Sequence, residues 1–258
     1  VGIAPPAAAA GTPIGNLADL SFRAVETLRG VDAILAEDTR CTRVLLDRYD
    51  IRTPLISCHK FNEAARLDEI LGRIRSGQAL ALVTDSGMPG ISDPGARVVA
   101  ACRAAGLRVE VAPGPTALTT ALALSGSRGT PFFFAGFPPR TSGARARDLR
   151  AWAALDVPVV VYESPHRIVK LLQAAQEPFG ERRILVAREL TKKFEEVLVG
   201  TAAELLKRLE TRKLKGEIVV VLGVTDGLGP DSAVAEGDDG EGEDEGAGGE
   251  GEDGEGEG

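Results

Sequence analysis

Aromatic side chains make up only 4% of this 258-residue sequence, which holds one Trp, one Met, two His and three Cys. So few aromatics argue against an RNA-binding sheet of the RRM type, which reads RNA through stacked rings. His59 and His166 are too few for most metal sites, and no metal is expected. Cys41, Cys58 and Cys102 are odd in number and show no C-x-x-C spacing. They read as reduced, mostly buried thiols of a cytoplasmic protein, not as zinc ligands or a disulfide framework. No apolar run approaches the ~18 residues of a membrane-spanning helix. The first residues, VGIAPPAAAAG, lack the basic region of a secretory leader. Neither G-x-G-x-x-G nor the P-loop pattern occurs, which argues against a standard dinucleotide or nucleoside triphosphate site.

Charge is present in plenty, but unevenly. The formal net charge is -8, yet residues 231–258 hold 13 Asp or Glu, 10 Gly and no Lys or Arg. The rest of the chain has 25 acidic against 30 basic residues, a net of about +5. The segment from 226 to 258 has almost nothing apolar to bury, and is expected to be a disordered acidic, glycine-rich tail.

The remaining residues divide by pattern into two domains, 1–126 and 130–225, joined at SGSRGT (125–130). In the first, short aliphatic runs at 32–37, 54–57, 79–84 and 107–112 alternate with amphipathic stretches. That alternation suits parallel strands covered on both faces. Ser21, Thr39, Asn62 and Asp93 are expected to open its helices, with Pro94 at the first helical position of the last. The second domain has strand patterns at 131–137, 157–163, 182–189, 195–200 and 216–223. Helices are expected at about 144–154, 165–177 and 202–211, the last with a Thr201/Glu204 capping box. The expected fold class is α/β, with a parallel-sheet N-terminal domain and a mixed-sheet α+β C-terminal domain.

Three glycine- and proline-rich loops punctuate the first domain: GTPIGN (11–16), TDSGMPGISDPG (84–95) and APGPTA (112–117). Glycine lets backbone approach a ligand closely, and the carboxyl ends of strands are where open α/β sheets bind ligands. The second and third follow apolar strands; the first follows only an alanine run. Together they suggest a small ligand held largely by backbone. Polar clusters follow at AEDTRCTR (36–43), SCHKFNE (57–63), YESPHR (162–167) and ARELTKKFEE (187–196). In YESPHR, Ser164 and Pro165 are expected to start a helix, placing His166 and Arg167 in its first turn. Arg140 and the GARARDLR stretch, with the lysines and arginines further on, make the second domain a phosphate-contact candidate.

TPIGNL, AEDTR, TDSGMPGISDPG, PGPTA, GFPPR, YESPHR, ARELTKKFEE and KGEIVVV, in that order, resemble the tetrapyrrole-methylase-like S-adenosylmethionine transferases. Within them they resemble the branch acting on small-subunit ribosomal RNA. The resemblance implies that family's two-domain fold and 2′-O-methylation of a cytidine in the decoding centre of 16S rRNA. It also implies S-adenosylmethionine in the cleft between the domains, and a homodimer. Ligand-loop roles fall on Pro13, Ile14, Gly15 and Asn16, on Asp85, Ser86, Gly87, Met88 and Pro89, and on Gly114, Pro115, Thr116 and Ala117. In this family the first strand is a run of large aliphatics. Here it is IAPPAAAAG, a poor central strand, so either the first strand is displaced or the start is wrongly assigned.

A ribose 2′-hydroxyl is a weak nucleophile, so the site needs a base or a cation beside it. Glu37, Asp38, Glu163, His166, Lys192 and Glu195 are candidates, with Lys192 favoured alongside Glu163 or Glu37. Arg140, Arg145, Arg147, His166 and Arg167 are candidate RNA contacts, and the 2′-hydroxyl chemistry requires RNA and not DNA. Two other readings stay open: a small-molecule C-methyltransferase of the tetrapyrrole type, or a non-catalytic RNA- or ribosome-binding protein on a methylase fold. The acidic tail has the wrong sign for RNA contact, and is expected to be dispensable or mildly autoinhibitory.

Overall fold

Alanine is a weak strand former, yet Ala7–Ala10 is β1, buried along its whole length. It pairs in parallel with strands on both sides, Ala8 opposite Ala81 and Glu110. Displacement of the first strand is therefore ruled out. Burial between two partners supplies what propensity does not, and small side chains let helices pack close on either face. The structure, a computed structural model, describes residues 7–127 and 131–224. The tail and part of the SGSRGT linker lie outside the described residues.

The first sheet runs β3-β2-β4-β1-β5, all parallel, with β2 at Ala33–Ala36, β3 at Leu55–Ser57, β4 at Leu80–Val83 and β5 at Val109–Ala112. Helices α1 (Phe22–Gly30), α2 (Thr39–Arg48), α3 (Glu63–Arg75) and α4 (Ala96–Ala104) cover it. Alternate side chains point to opposite faces. Ala8, Ala10, Ile34, Ala36 and Val83 accordingly pack with Leu28 of α1 and Leu46 of α2. Ala7, Leu35, Leu80 and Leu82 pack with Ile70 of α3 and Val98 of α4.

The helix starts correct three expectations. Asp38, not Thr39, caps α2 by accepting from the Arg40 N–H at 2.8 Å. Asp93 and Pro94 do not open α4. Gly95, at φ 126°, precedes it, and the buried Glu63 of α3 accepts from the Gly95 and Val98 N–H groups at 2.9 and 3.4 Å. A carboxylate on another helix thus satisfies the orphan donors and favours the positive end of the helix dipole, leaving Asp93 free for other work. Ser21 caps α1 as expected, accepting from the Ala24 N–H.

The second sheet runs β6-β7-β10-β8-β9: β6 Phe133–Gly136, β7 Val159–Glu163, β8 Arg183–Arg188, β9 Glu196–Gly200 and β10 Ile218–Val224. Only β6 and β7 pair in parallel, so the sheet is mixed. One face packs on α6 (Ser142–Ala153), α7 (Ile168–Phe179) and α8 (Ala202–Leu209), with the expected capping box at Thr201 and Glu204. Arg167, not Ser164, precedes α7, so His166 and Arg167 lie before the helix and not in its first turn. The four residues Ser164 to Arg167 form a turn instead, closed by the Arg167 N–H donating to Ser164 O at 3.0 Å.

The other face of this sheet is covered by α5 (Ala117–Leu124), whose Leu118, Ala121 and Leu122 pack with Val160, Leu185, Val219 and Val221. Ile14 of the first glycine loop joins that cluster. Helix α5 was not foreseen: ALTTALAL has no polar face to give a helical period. It is apolar nearly all round because the first half supplies it as a lid for the second sheet, and both halves belong to one compact unit.

Candidate active site

With β1 in place, all three glycine loops leave the carboxyl ends of three adjacent strands, β4, β1 and β5. They are fastened to one another by backbone. The Gly11 N–H donates to Ala112 O at 2.9 Å, and Thr12 and Gly87 exchange N–H···O bonds at 2.9 and 3.2 Å. The Thr12 hydroxyl donates to Thr84 O at 3.0 Å. Gly11 and Gly114 approach so closely that a Cβ on Gly114 would stand 2.8 Å from the Gly11 Cα. Only glycine permits that contact.

A cavity of about 420 Å³ opens beside these loops. Ile14, Asp85, Ser86, Gly87, Met88, Thr116 and Ala117 line it, as do Glu37 and Glu163. Pro13, Gly15, Asn16, Pro89, Gly114 and Pro115 do not; they shape the loops behind it. Gly15 meets the second half directly, since a Cβ there would come within 2.8 Å of Leu190 O and 2.4 Å of the Lys192 side chain. The opposite wall comes from the ends of β7 and β8 and the start of β10: Tyr162, Ser164, Leu190, Gly216 and Glu217. Phe137 and Asp93 complete it. These residues lie within the motifs YESPHR, ARELTKKFEE, KGEIVVV, GFPPR and TDSGMPGISDPG. In sequence, however, Tyr162, Leu190, Gly216 and Glu217 have no role of their own, because the motifs are far apart in the chain and only the fold brings them to one wall.

The first wall is acidic. Burial raises the Glu37 carboxyl above its ordinary value, and the nearby Asp85 carboxylate adds to the shift. Asp85 is raised by burial as well, although it accepts from the Asp38 N–H at 3.0 Å. Asp93 opens to the cavity, but protein packed around it, together with Glu37, Asp85 and Glu217, pushes its carboxyl up to about 6. Asp38 is apart from this group: Arg40, at 2.6 Å, holds it well below the usual carboxylate range. Among the described residues no Lys, Arg or His lines the cavity, and carboxylates crowded at such a wall are stabilised by a positively charged ligand.

Glu163 sits on the second wall, its side chain fully buried. Its Oε1 accepts from the Ser164 N–H at 2.9 Å and lies 3.2 Å from the Arg167 Nε, whereas Oε2 has no hydrogen-bond partner among the described residues. Burial raises its pKa despite Arg167 and Arg145. Lys192 stands behind this wall. Its Nζ is 2.9 Å from Glu189 and 2.8 Å from Glu217; burial opposes its charge, but these two carboxylates keep it firmly protonated. Gly216 at φ 92° makes room for Glu189, which would lie 2.3 Å from a Cβ there. Ser92, Glu189 and Thr191 all have positive φ without being glycine, and backbone strain of this kind collects at functional sites.

Of the candidate RNA contacts, Arg140, Arg147 and His166 are exposed. Arg145 is buried and donates to Pro139 O and Arg140 O; Arg167 donates to Pro138 O at 2.5 Å. Both hold the GFPPR loop from beneath. Among the described residues no group of three His, Cys, Asp or Glu could hold a metal, and no helix is long and apolar enough to cross a membrane.

Known proteins share this arrangement. Ribosomal RNA small subunit methyltransferase I of Thermotoga maritima is 46% identical over 212 residues, 82% of this chain and 95% of that protein. The proteins of the same name from Xylella fastidiosa and Bacillus subtilis are 47% and 44% identical, each over 82% of this chain and over 78% and 72% of their own. Solved structures with the same fold include a cobalt precorrin-4 methyltransferase, at TM-score 0.65 and 16% identity, over 84% of this chain and 95% of that one. A uroporphyrin-III C-methyltransferase from Thermus thermophilus aligns at TM-score 0.59 and 21% identity, over 84% and 94%. A model of the tetrapyrrole (corrin/porphyrin) methylases matches residues 8–206. With its three backbone-built loops, its parallel and mixed sheets and these relatives, the chain belongs to the tetrapyrrole methylase family.

Proposed function

We propose that the chain transfers a methyl group from S-adenosylmethionine to small-subunit ribosomal RNA, and that the acceptor is the 2′-hydroxyl of a cytidine in the decoding centre. The acidic cavity carries this reading. Its volume falls within the ~300–1,000 Å³ typical of small-molecule sites. Glu37, Asp85 and Asp93 suit a ligand bearing a sulfonium and an ammonium, and the loop backbone at 85–88 suits its polar groups. When bound, S-adenosylmethionine supplies a methyl on a positively charged sulfur, and transfer removes that charge.

The residues then divide the work. Glu37, Asp85 and Asp93 hold the donor. Glu163, buried, raised in pKa and with Oε2 unpartnered, accepts the 2′-hydroxyl proton as the new O–CH₃ bond forms. Lys192 is too firmly protonated to be the base; held by Glu189 and Glu217, it fixes the 189–192 turn and the position of the Glu217 carboxylate on the cavity wall. Arg145 and Arg167 position the GFPPR loop, and the exposed Arg140, Arg147 and His166 contact RNA phosphates. A homodimer fits the same family resemblance.

Full-length chain given methyl-labelled S-adenosylmethionine and small subunits should label one cytidine ribose of 16S rRNA, located by mass mapping. Label on the base, or none on RNA, would reject the assignment. Donor binding without transfer to any RNA would favour a small-molecule acceptor, and no donor binding a non-catalytic role.

A further inference from the structure

Two turns that the methyl-transfer chemistry leaves unused have the same build. Each follows a strand end and presents a lysine beside an exposed phenylalanine. In the turn after β3, Phe61 is 84% exposed and the Lys60 Nζ lies 4.9 Å from its ring centre. In the turn between β8 and β9, Phe194 is 67% exposed and the Lys193 Nζ lies 5.7 Å from its ring centre. Phe22 and Phe137 are exposed too, but among the described residues only Phe61 and Phe194 carry a lysine over the ring, and leaving each in water forgoes burial worth about 1.5–3 kcal/mol.

Both turns are held in shape. The His59 N–H donates to the Asn62 side chain at 2.7 Å, and the Phe61 N–H to the His59 ring at 3.3 Å. The Thr191 N–H donates to the Glu195 carboxylate at 2.6 Å. Neither turn lines the cavity, but each, from opposite halves, stands next to a residue that does. Lys60 and His59 lie near enough to Glu37 to influence its carboxyl. Lys192, the neighbour of Lys193, bonds to Glu217 on the other wall.

We propose that Phe61 and Phe194, each with its lysine, are two stacking positions for unpaired RNA bases on either side of the acceptor. A ring takes the base face and the cation reaches the adjoining phosphate, the combination by which single strands are bound. A lysine over each ring suits a polyanion, whereas a contact between protein chains would favour aliphatic neighbours. The proposal rests on the chain being an RNA methyltransferase. It extends that function by naming what holds the strand open around the reacting ribose.

The test measures binding of full-length chain to a short single-stranded RNA containing the acceptor cytidine, and to the same strand with abasic riboses flanking it. Phe61→Ala and Phe194→Ala should each weaken binding to the first strand by roughly five- to a hundredfold. Neither should change binding to the abasic strand or the melting temperature, and Phe61→Trp should restore affinity. Lys60→Ala and Lys193→Ala should weaken both strands and flatten the salt dependence. Alanine variants that bind like the parent, lose both strands equally, or change oligomeric state would overturn the proposal. A parent that binds and discriminates the strands but methylates no RNA would sink the proposed function while leaving the stacking result to stand; a parent that binds neither strand would sink the stacking proposal, while labelling of small subunits decides the function separately.

Discussion

Strands β1 and β10 are both buried between two partners, but one is AAAA and the other IVVVLGV. The first sheet has helices close on both faces, and its ligand loops must come together at the carboxyl ends of its strands. Thin strands and glycine loops serve that end. The second sheet is antiparallel around a β-branched centre and contributes charged side chains from strand ends. The first half therefore offers loop backbone beside a cluster of carboxylates, and the second offers side chains from strand ends, with α5 and Ile14 fastening them together.

Four substitutions separate these contributions, taken from the largest expected effect. Glu163→Gln on the second half should lower kcat by roughly 10²–10⁴-fold while leaving donor affinity, measured by calorimetry, near that of the parent. An equal loss of donor affinity would move Glu163 to the binding side. Leu222→Ala, in the fully buried β10, should cost about 2–5 kcal/mol of unfolding free energy in urea. In the first half the opposite change should hurt: Gly114→Ala, forced against the Gly11 backbone, should cost about 1–3 kcal/mol and weaken donor binding too. If Gly114→Ala lost stability but bound donor normally, the loops would be scaffold and not cradle.

The pH dependence sharpens the comparison further. Asp93 has a folded-state value of about 6, above its ordinary 3.8, so its ionisation costs stability. That cost is absent below the ordinary value, grows as pH rises through the window, and is complete above about pH 6. A cationic donor favours the ionised form, so donor affinity should fall as pH drops through 6. Asp93→Asn should remove that dependence and stabilise the free protein at neutral pH. The smallest effect belongs to the tail: deleting residues 231–258 should tighten RNA binding slightly at low salt and not at high salt. A large loss of affinity would show that the tail takes part in RNA binding.

Much of this was legible beforehand. The alternation of short aliphatic runs and helical stretches identified the parallel sheet, and the capping box at Thr201 and Glu204 marked α8. The glycine loops pointed to a backbone-built ligand site, of which Ile14, Asp85–Met88, Thr116 and Ala117 do line the cavity. The misses share a cause. Asp93 looked like a cap because it stands three residues before a helix, but Glu63, thirty-two residues from Gly95, took that role. Ala7–Ala10 looked too weak for a central strand because propensity describes a strand without its partners. The pairing of Lys192 with Glu217, twenty-five residues on, has the same origin and leaves no trace in the local pattern.

Local patterning by itself determined most strands and helices (β1 and α5 excepted), the glycine positions of the loops, and the family resemblance, because these depend on neighbours in the chain. Only the tertiary structure decided which carboxylates share a cavity, which is left with an unpartnered oxygen, and which cations are already paired. Those properties depend on distance and burial among residues as remote as Glu37 and Glu217, and a linear sequence contains no term for either.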